Sequence, residues 1–232
     1  MTARHPVSGR RHSMIDTWNR SCRAFVTLAA LFACLIAAPA SGQLTAGKEY
    51  QVLDFPQPVA TGDRIEVIEF FYYGCPYCNE ALPLIVKWLP SLPADVQYRR
   101  VPVVRPDSWA PLARTYYALE SLGRLDGLHR HVFDSIHIDG LALSDETAMF
   151  DWVQRNYIDR QMFIDAYRSA DTTAKVAKAL DLSDKYNITR IPAIAIDGKY
   201  VTTTGMAGGL DAMLRAVDQL IVRARAERAA KK

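Results

Sequence analysis

The chain has 232 residues, half of them hydrophobic, and a formal net charge of +3. This length and composition suit one folded domain, or one domain with an insertion. The charge does not indicate a nucleic-acid-binding protein, because the basic excess lies in an N-terminal leader and the remainder has a formal charge of about −1. The sequence also contains no internal repeat, no low-complexity linker and no phosphate-binding glycine-rich loop.

Residues 1–41 are predicted to be a secretory signal peptide. Two arginines precede a short apolar run, and small residues supply a cleavage site near residues 40–42. The run is too short for a comfortable transmembrane helix, although an uncleaved anchor and a lipoprotein modified at Cys34 stay open as alternatives. Cleavage would remove Cys22 and Cys34, so the sequence predicts an exported protein with two cysteines in an oxidising compartment.

The most informative stretch is a run of aromatic and β-branched residues that ends in a pair of cysteines. Residues 65–73 are predicted to form a strand buried on both faces, and Gly74 allows the chain to turn. Cys75 and Cys78 follow, and the apolar residues after them recur at helical spacing. Pro76 suits the first helical turn, because its missing N–H would have no partner there. We therefore expect a strand, a turn and a helix that begins at the cysteines.

A cysteine at the beginning of a helix is unusually acidic. The first N–H groups of a helix lack intrahelical partners and the positive end of the helix dipole lies there, so both stabilise a thiolate. The pKa of Cys75 is therefore predicted to fall below about 8.5, into the range of roughly 3.5–7.5. Cys78 is expected to be more buried and closer to an ordinary thiol. The pair can close as a disulfide in which Cys75 is the exposed sulfur, both attacked and displaced.

Two other interpretations of the cysteine pair are less favoured. Half of a zinc site would need two further ligands, and His129, His131 and His137 lie in a separate helical region where we expect surface residues. A purely structural disulfide with a two-residue spacer would constrain the unfolded chain little. A Cys-x-x-Cys pair between a buried strand and a helix therefore favours redox chemistry without a metal.

Glu69 is a carboxylate within the apolar strand, where burial without a partner is costly. One interpretation is structural, with Glu69 paired to Arg99 or Arg100 on the next predicted strand, residues 96–104. The other is functional, with Glu69 beneath the cysteines, where it exchanges protons with Cys78. The sequence leaves both open.

The segment 105–170 changes character and predicts an all-helical insertion. Its apolar residues recur at helical spacing in four stretches, and Ser144 and Asp159 are predicted to cap the third and fourth helices. A further helix returns the chain to the sheet. Pro192 then opens a strand, and Asp197-Gly198 between two β-rich pieces predicts a hairpin before the last amphipathic helix.

This order of elements resembles the DsbA family of secreted thiol:disulfide oxidoreductases. The most specific matches are Glu69-Phe70-Phe71, Gly74-Cys75-Pro76-Tyr77-Cys78, Arg190-Ile191-Pro192-Ala193 and Asp197-Gly198-Lys199-Tyr200. The resemblance implies an α/β thioredoxin fold, in which a central mixed sheet is flanked by helices. Residues 42–104 and 171–232 would form the thioredoxin-like domain, and residues 105–170 the inserted helical domain. It also implies a cis bond between Ile191 and Pro192, which would present backbone groups to a bound peptide beside the disulfide.

The resemblance further implies a function. The protein would be a periplasmic enzyme that donates the Cys75–Cys78 disulfide to folding exported polypeptides, without a cofactor and as a monomer. A DsbB-like membrane protein would reoxidise it. A reductase or isomerase, and a non-catalytic peptide-binding chaperone module on the same fold, stay open as alternatives.

One departure from the family pattern affects the redox chemistry. Pro76-Tyr77 stands between the cysteines, where the most oxidising members of the family have Pro-His. Tyr77 cannot place a positive charge beside the Cys75 thiolate as an imidazolium can. We therefore expect these two residues to tune the pair towards a less depressed pKa of Cys75 and a less oxidising couple.

Overall fold

The computed structural model describes residues 1–3 and 44–231. The predicted signal peptide and its cleavage site fall almost entirely outside this range. In chain order the elements are β1 (Gln51–Val52), β2 (Ile65–Phe71), α1 (Pro76–Trp88), β3 (Val96–Pro102), α2 (Ala110–Ser121), α3 (Leu125–His137), α4 (Glu146–Arg155), α5 (Arg160–Arg168), α6 (Ala170–Lys185), β4 (Ala193–Ile196), β5 (Tyr200–Thr203), α7 (Thr204–Ala207) and α8 (Leu210–Ala229). Short 3₁₀ turns occur at Leu89–Ser91 and Asp107–Trp109.

The strands form one mixed sheet in the order β1-β5-β4-β2-β3. β2 pairs in parallel with β3 and antiparallel with β4, while β5 is antiparallel to both β4 and β1. All seven residues of β2 are buried, as the sequence predicted, but the strand ends at Phe71, two residues earlier than expected. A central mixed sheet flanked by helices confirms the predicted thioredoxin fold with a helical insertion.

The side chains of β2 are divided between two cores on the two faces of the sheet, and they alternate up to Phe70, after which Phe71 joins the same core as Phe70. Ile65 and Val67 pack in a core with residues of α1 and α8. Ile68 and Phe70 pack in the other core, with α6 and the helices that follow β3. This double burial explains why the strand reads as a continuous apolar run rather than an alternating one.

Four helices, α2 to α5, occupy the segment predicted to be helical. The capping residue of α4 differs from the prediction: Asp145, not Ser144, accepts a hydrogen bond from the N–H of Ala148 at 2.9 Å. The helix therefore begins one residue later than expected. Asp159 caps α5 as predicted. The insertion limits at residues 105 and 170 stay a prediction, because α6 contacts both α2 and β3.

The predicted hairpin joins β4 to β5. Asp197 and Gly198 both have positive φ, 53° and 68°, which is the backbone of the tight turns that suit twisted strands. A Cβ at Gly198 would overlap the backbone carbonyl of Gln57, so only glycine fits. No helix in residues 44–231 is both long enough and apolar enough to cross a bilayer.

Candidate active site

The backbone around the cysteines is the turn from β2 into α1. Cys75 is the N-cap of α1, with extended φ and ψ of −86° and 117°, and its Sγ accepts a hydrogen bond from the N–H of Cys78 at 3.4 Å. Pro76 occupies the first helical turn as predicted. A Cβ at Gly74 would lie 2.5 Å from the ring of Tyr72, so a glycine is needed where that ring folds over the turn. The Cys75 sulfur therefore points at the helix N–H groups.

The two thiols differ in exposure, but less than the sequence suggested. They are in the reduced form, with 9% of Cys75 and 1% of Cys78 exposed. Cys75 is therefore the more accessible of the pair, as expected, but the expectation that it is exposed is wrong. The capping role directs its Sγ inwards, towards the N–H of Cys78 and the carbonyl oxygen of Ile191 at 4.0 Å.

The pKa values of the two thiols are shifted in opposite directions. A hydrogen bond from the Cys78 thiol, together with the backbone N–H groups of Cys78 and Tyr77, lowers the pKa of Cys75 from 9.0 to about 7, although partial burial opposes this. Burial raises the pKa of Cys78, and the neighbouring Cys75 raises it further. A pKa near 7 lies at the weakly shifted end of the predicted range. At neutral pH, Cys75 is thus the sulfur that carries negative charge.

The loop before β4 faces the cysteines. The peptide bond between Ile191 and Pro192 is cis, as the resemblance implied. Pro192 is buried and Ile191 is half-buried, with its carbonyl oxygen directed at Cys75. A second cis bond, between Arg105 and Pro106, was not predicted. Tyr77 is 67% exposed beside the site, so its ring is free to meet a bound polypeptide.

Glu69 lies on the same face of β2 as Val67, the face that α1 covers, and it is 2% exposed. Its Oε2 accepts hydrogen bonds from Arg100, at 3.1 Å, and from the Tyr98 hydroxyl. Burial raises the pKa of Glu69, while Arg100 and Tyr98 oppose the shift. The negative charge of Glu69 in turn raises the pKa of Cys78. The structural pairing is therefore present, and Glu69 is also close enough to act on Cys78.

Three residues that sequence analysis did not place at the site support the turn from behind. The Tyr73 hydroxyl is hydrogen bonded to His129 Nδ1 at 2.9 Å, and the Tyr73 carbonyl oxygen lies 2.8 Å from His137 Nε2. The prediction of surface histidines is wrong for His129, which is 5% exposed, and His137 is half-buried, while His131 is exposed. Tyr73 could have been inferred from its place beside Gly74. Nothing in the sequence places the histidines at the site, because α3 is distant in the chain from the turn that carries the cysteines.

The residues that could bind a metal are dispersed. Within residues 44–231, no group of three or more His, Cys, Asp or Glu side chains is arranged to hold a metal ion. The histidines considered as partners of the cysteines are directed elsewhere: His129 and His137 contact Tyr73, and the ring of His131 packs near Trp152.

Together, the mixed sheet, the Cys-x-x-Cys pair at the N-terminus of α1 and the opposing cis-proline loop define a thioredoxin-fold thiol:disulfide oxidoreductase. No protein-family model matches the chain. The thiol:disulfide interchange protein DsbA of Pseudomonas aeruginosa is 37% identical over 209 residues, which cover 90% of this chain and 97% of that protein. The DsbA of Bordetella parapertussis is 37% identical over 198 residues, or 85% and 94% of the two chains.

Solved structures agree with these relatives. The crystal structure of Pseudomonas aeruginosa DsbA matches with a TM-score of 0.77 and 38% identity, covering 82% of this chain and 97% of that one. An oxidoreductase from Neisseria meningitidis matches with a TM-score of 0.71 and 26% identity, covering 80% and 96%. The chain belongs to the DsbA family. It is a protein disulfide oxidoreductase, an enzyme of disulfide-bond formation.

Proposed function

We propose that the enzyme donates the Cys75–Cys78 disulfide to exported polypeptides, with Cys75 as the sulfur that clients attack and Cys78 as its buried partner. The opposite shift of the two pKa values agrees with these roles, because it makes Cys75 the better leaving group. Stabilising the Cys75 thiolate favours the reduced enzyme, so the oxidised enzyme gives up its disulfide readily. The observation that carries this proposal is the capping position of Cys75 on α1.

The reaction consists of two exchanges that conserve sulfur and electrons. A client thiolate attacks Sγ of Cys75, the Cys75–Cys78 bond breaks, and the Cys78 sulfur leaves with the electron pair and takes up a proton. A second client thiolate then attacks the client sulfur of the mixed disulfide, and Cys75 leaves as a thiolate. The client has lost two electrons and gained a disulfide, and the enzyme holds two reduced cysteines.

The surrounding residues have supporting roles in this scheme. Glu69, held by Arg100, exchanges the proton with Cys78 as that sulfur leaves. Pro76 and Tyr77 tune the pair by fixing the first turn of α1 and by leaving no positive side chain between the cysteines. Ile191 and Pro192 present backbone groups to an extended client segment, which pairs with them beside Cys75.

Two further parts of the proposal concern the cell. The predicted signal peptide and the homology to DsbA proteins support a periplasmic location, where clients are unfolded or folding exported polypeptides with free cysteines. Each turnover leaves the enzyme reduced, so it needs an external oxidant. A DsbB-like membrane protein fills that role, and the enzyme acts as a monomer.

Equilibration of the cysteine pair with glutathione buffers tests the direction of the reaction. We expect a couple more oxidising than that of thioredoxin, whose reduction potential is about −270 mV. A couple as reducing as thioredoxin would overturn the assignment as a disulfide donor and favour a reductase.

Cysteine variants test the assignment of the two sulfurs. Oxidation of a reduced, unfolded client by the Cys75→Ser variant should be abolished. The Cys78→Ser variant, first charged at Cys75 as a mixed disulfide with glutathione, should instead pass Cys75 to a client thiol, releasing reduced glutathione, and accumulate client mixed disulfides that mass spectrometry can locate. Full oxidase activity in Cys75→Ser, or client adducts on Cys78 alone in the wild type, would contradict the proposed roles.

A further inference from the structure

Arg190 places a positive charge at the rim of the cysteine site. It directly precedes Ile191, whose carbonyl oxygen lies 4.0 Å from Cys75 Sγ. Consecutive Cα atoms are about 3.8 Å apart across a trans peptide bond, and the bond between Arg190 and Ile191 is trans. A client segment that pairs with the backbone of Ile191 therefore passes within one residue of Arg190.

The guanidinium of Arg190 has no partner among residues 44–231. It is exposed and makes neither a salt bridge nor a hydrogen bond there, whereas Arg100 and Arg228 are each held by a carboxylate. An arginine side chain carries five N–H donors in a planar fork that matches a carboxylate. Arg190 is thus able to bind an acidic group that arrives from outside.

A small cavity of about 120 Å³ lies against the same residue. Arg190 is the one charged residue among those that line it, and the polar lining residues are Gln51, Asn187, Thr189 and Thr203. A cavity holds a single water when about 10–15 Å³ is open to the probe centre, so this one has room for a carboxylate with its methylene groups. The cavity offers hydrogen-bonding groups beside Arg190 and no competing negative charge.

Helix α1 carries a charge of the opposite sign near the cysteines. Glu80 lies on the first turns of α1, is exposed, and makes no salt bridge within residues 44–231. It is close enough to the catalytic sulfur for its negative charge to act on the pKa of Cys75, which it raises. An acidic client side chain is therefore repelled by Glu80 and attracted by Arg190.

We propose that Arg190, with the cavity beside it, is a specificity-determining residue that favours clients with Asp or Glu within two positions of the attacking cysteine. The limit of two positions follows from the rise of about 3.3 Å per residue in an extended segment, which carries more distant side chains past the loop. This inference rests on the proposed function, because it concerns the polypeptides that attack Cys75.

A peptide series tests this specificity. Each peptide contains two cysteines and differs only in one residue, Glu, Gln or Lys, placed one or two positions before or after the first cysteine. The second-order rate constant for oxidation by the oxidised enzyme is measured for each. We expect Glu peptides to react about twofold to fivefold faster than Gln peptides in at least one placement, the range that an exposed ion pair contributes. High salt should shrink the ratio.

Variants of the full chain then assign the effect. Arg190→Gln should remove the preference for Glu, and Arg190→Glu should transfer it to Lys. The matched control is Arg155→Gln, which removes an exposed charge on α4 that has no salt-bridge partner within residues 44–231, and which should keep the preference. An unchanged ratio in Arg190→Gln would overturn the inference while the proposed function stands. Failure to oxidise any peptide would overturn the proposed function and, with it, this inference.

Discussion

The ring of Tyr72 lies parallel to the ring of Trp109, with centroids 4.0 Å apart and planes within 3° of each other. Tyr72 belongs to the turn that carries the cysteines, and its carbonyl oxygen accepts a hydrogen bond from the N–H of Cys75 at 3.0 Å. Trp109 ends the 3₁₀ turn that leads into α2. The stack therefore ties the redox-active turn to the beginning of the helical segment.

Loss of this stack should loosen the turn. We expect Trp109→Ala to lower the free energy of unfolding by about 0.5–1.5 kcal/mol beyond the lost apolar burial, the usual contribution of an aromatic pair. Hydrogen exchange of the Cys75 amide should accelerate at the same time. Chemical denaturation and exchange mass spectrometry measure the two effects, and Trp109→Phe should recover most of both. Unchanged exchange at Cys75 in Trp109→Ala would show that the stack does not hold the turn.

The lowered pKa of Cys75 should appear in the pH dependence of its reaction with alkylating reagents. Because its pKa is lowered from 9.0 to about 7, alkylation of the reduced enzyme should rise with a midpoint near pH 7. The same shift stabilises the reduced fold fully above pH 9, and this stability is lost as the pH falls through 7. Thiolate absorbance and alkylation rates measure the midpoint. A midpoint near that of a free thiol would contradict the assignment.

The residue between the cysteines should move that midpoint. Tyr77→His places an ionisable imidazole beside the thiolate, so the pKa of Cys75 should fall and the couple should become more oxidising. Tyr77→Phe is the matched control, because the ring stays uncharged and neither value should change. A pKa of Cys75 that is equal in all three proteins would show that the side chain at this position does not tune the pair.

Glu69 and Arg100 are paired in a poorly solvated site, with 3% and 16% of their side chains exposed. We expect Glu69→Gln to cost about 3–5 kcal/mol of stability, since it leaves the Arg100 charge without a partner. The double variant Glu69→Gln/Arg100→Met removes both charges and should recover much of the loss, as urea denaturation would show.

The double variant also separates the two roles of Glu69. If Glu69 exchanges protons with Cys78, formation of the mixed disulfide should remain slow in the double variant even when stability is restored, and the pH dependence of that step should change. A double variant with the wild-type rate and pH profile would assign Glu69 to structure alone.

His129 should make the fold sensitive to acid. Burial lowers its pKa from 6.5 to about 3, so the folded chain keeps it neutral while the unfolded chain takes up a proton. Between these pH values the unfolded state binds more protons, and the free energy of unfolding should decline by a few kcal/mol as the pH falls. His129→Phe should flatten this decline, and an equal decline in that variant would assign it to other groups.

The sequence predicts the structure most reliably where the information is local. The strand, turn and helix around Cys75 and Cys78 follow from aromatic and β-branched residues, a glycine, and apolar residues at helical spacing. The hairpin at Asp197-Gly198 is predicted from local sequence in the same way, because its turn needs positive φ and few residues other than glycine, asparagine and aspartate tolerate that backbone. These features depend on neighbours within one or two turns of chain, and the structure has them as predicted.

The partners of the buried carboxylates could be identified only from the register of the sheet. The sequence offered Glu69 either Arg99 or Arg100, and the parallel register of β2 and β3 places Arg100 opposite Glu69. Arg99 instead pairs with Glu66, a second buried carboxylate. A shift of one residue would send each of these side chains to the other face, so the choice rests on how two strands align rather than on either strand alone.

The amino-acid sequence is enough to predict the chemistry: two cysteines at the beginning of a helix, a disulfide they can form, and a thiolate stabilised by free N–H groups. The surroundings of that chemistry come from tertiary packing. It brought the carbonyl oxygen of Ile191 to the buried Cys75 sulfur, His129 under Tyr73, and Trp109 onto Tyr72. The two kinds of feature differ in the distance along the chain over which they act. Helical propensity and the helix dipole act over a single turn, whereas these contacts join distant segments that meet only when the two cores are packed.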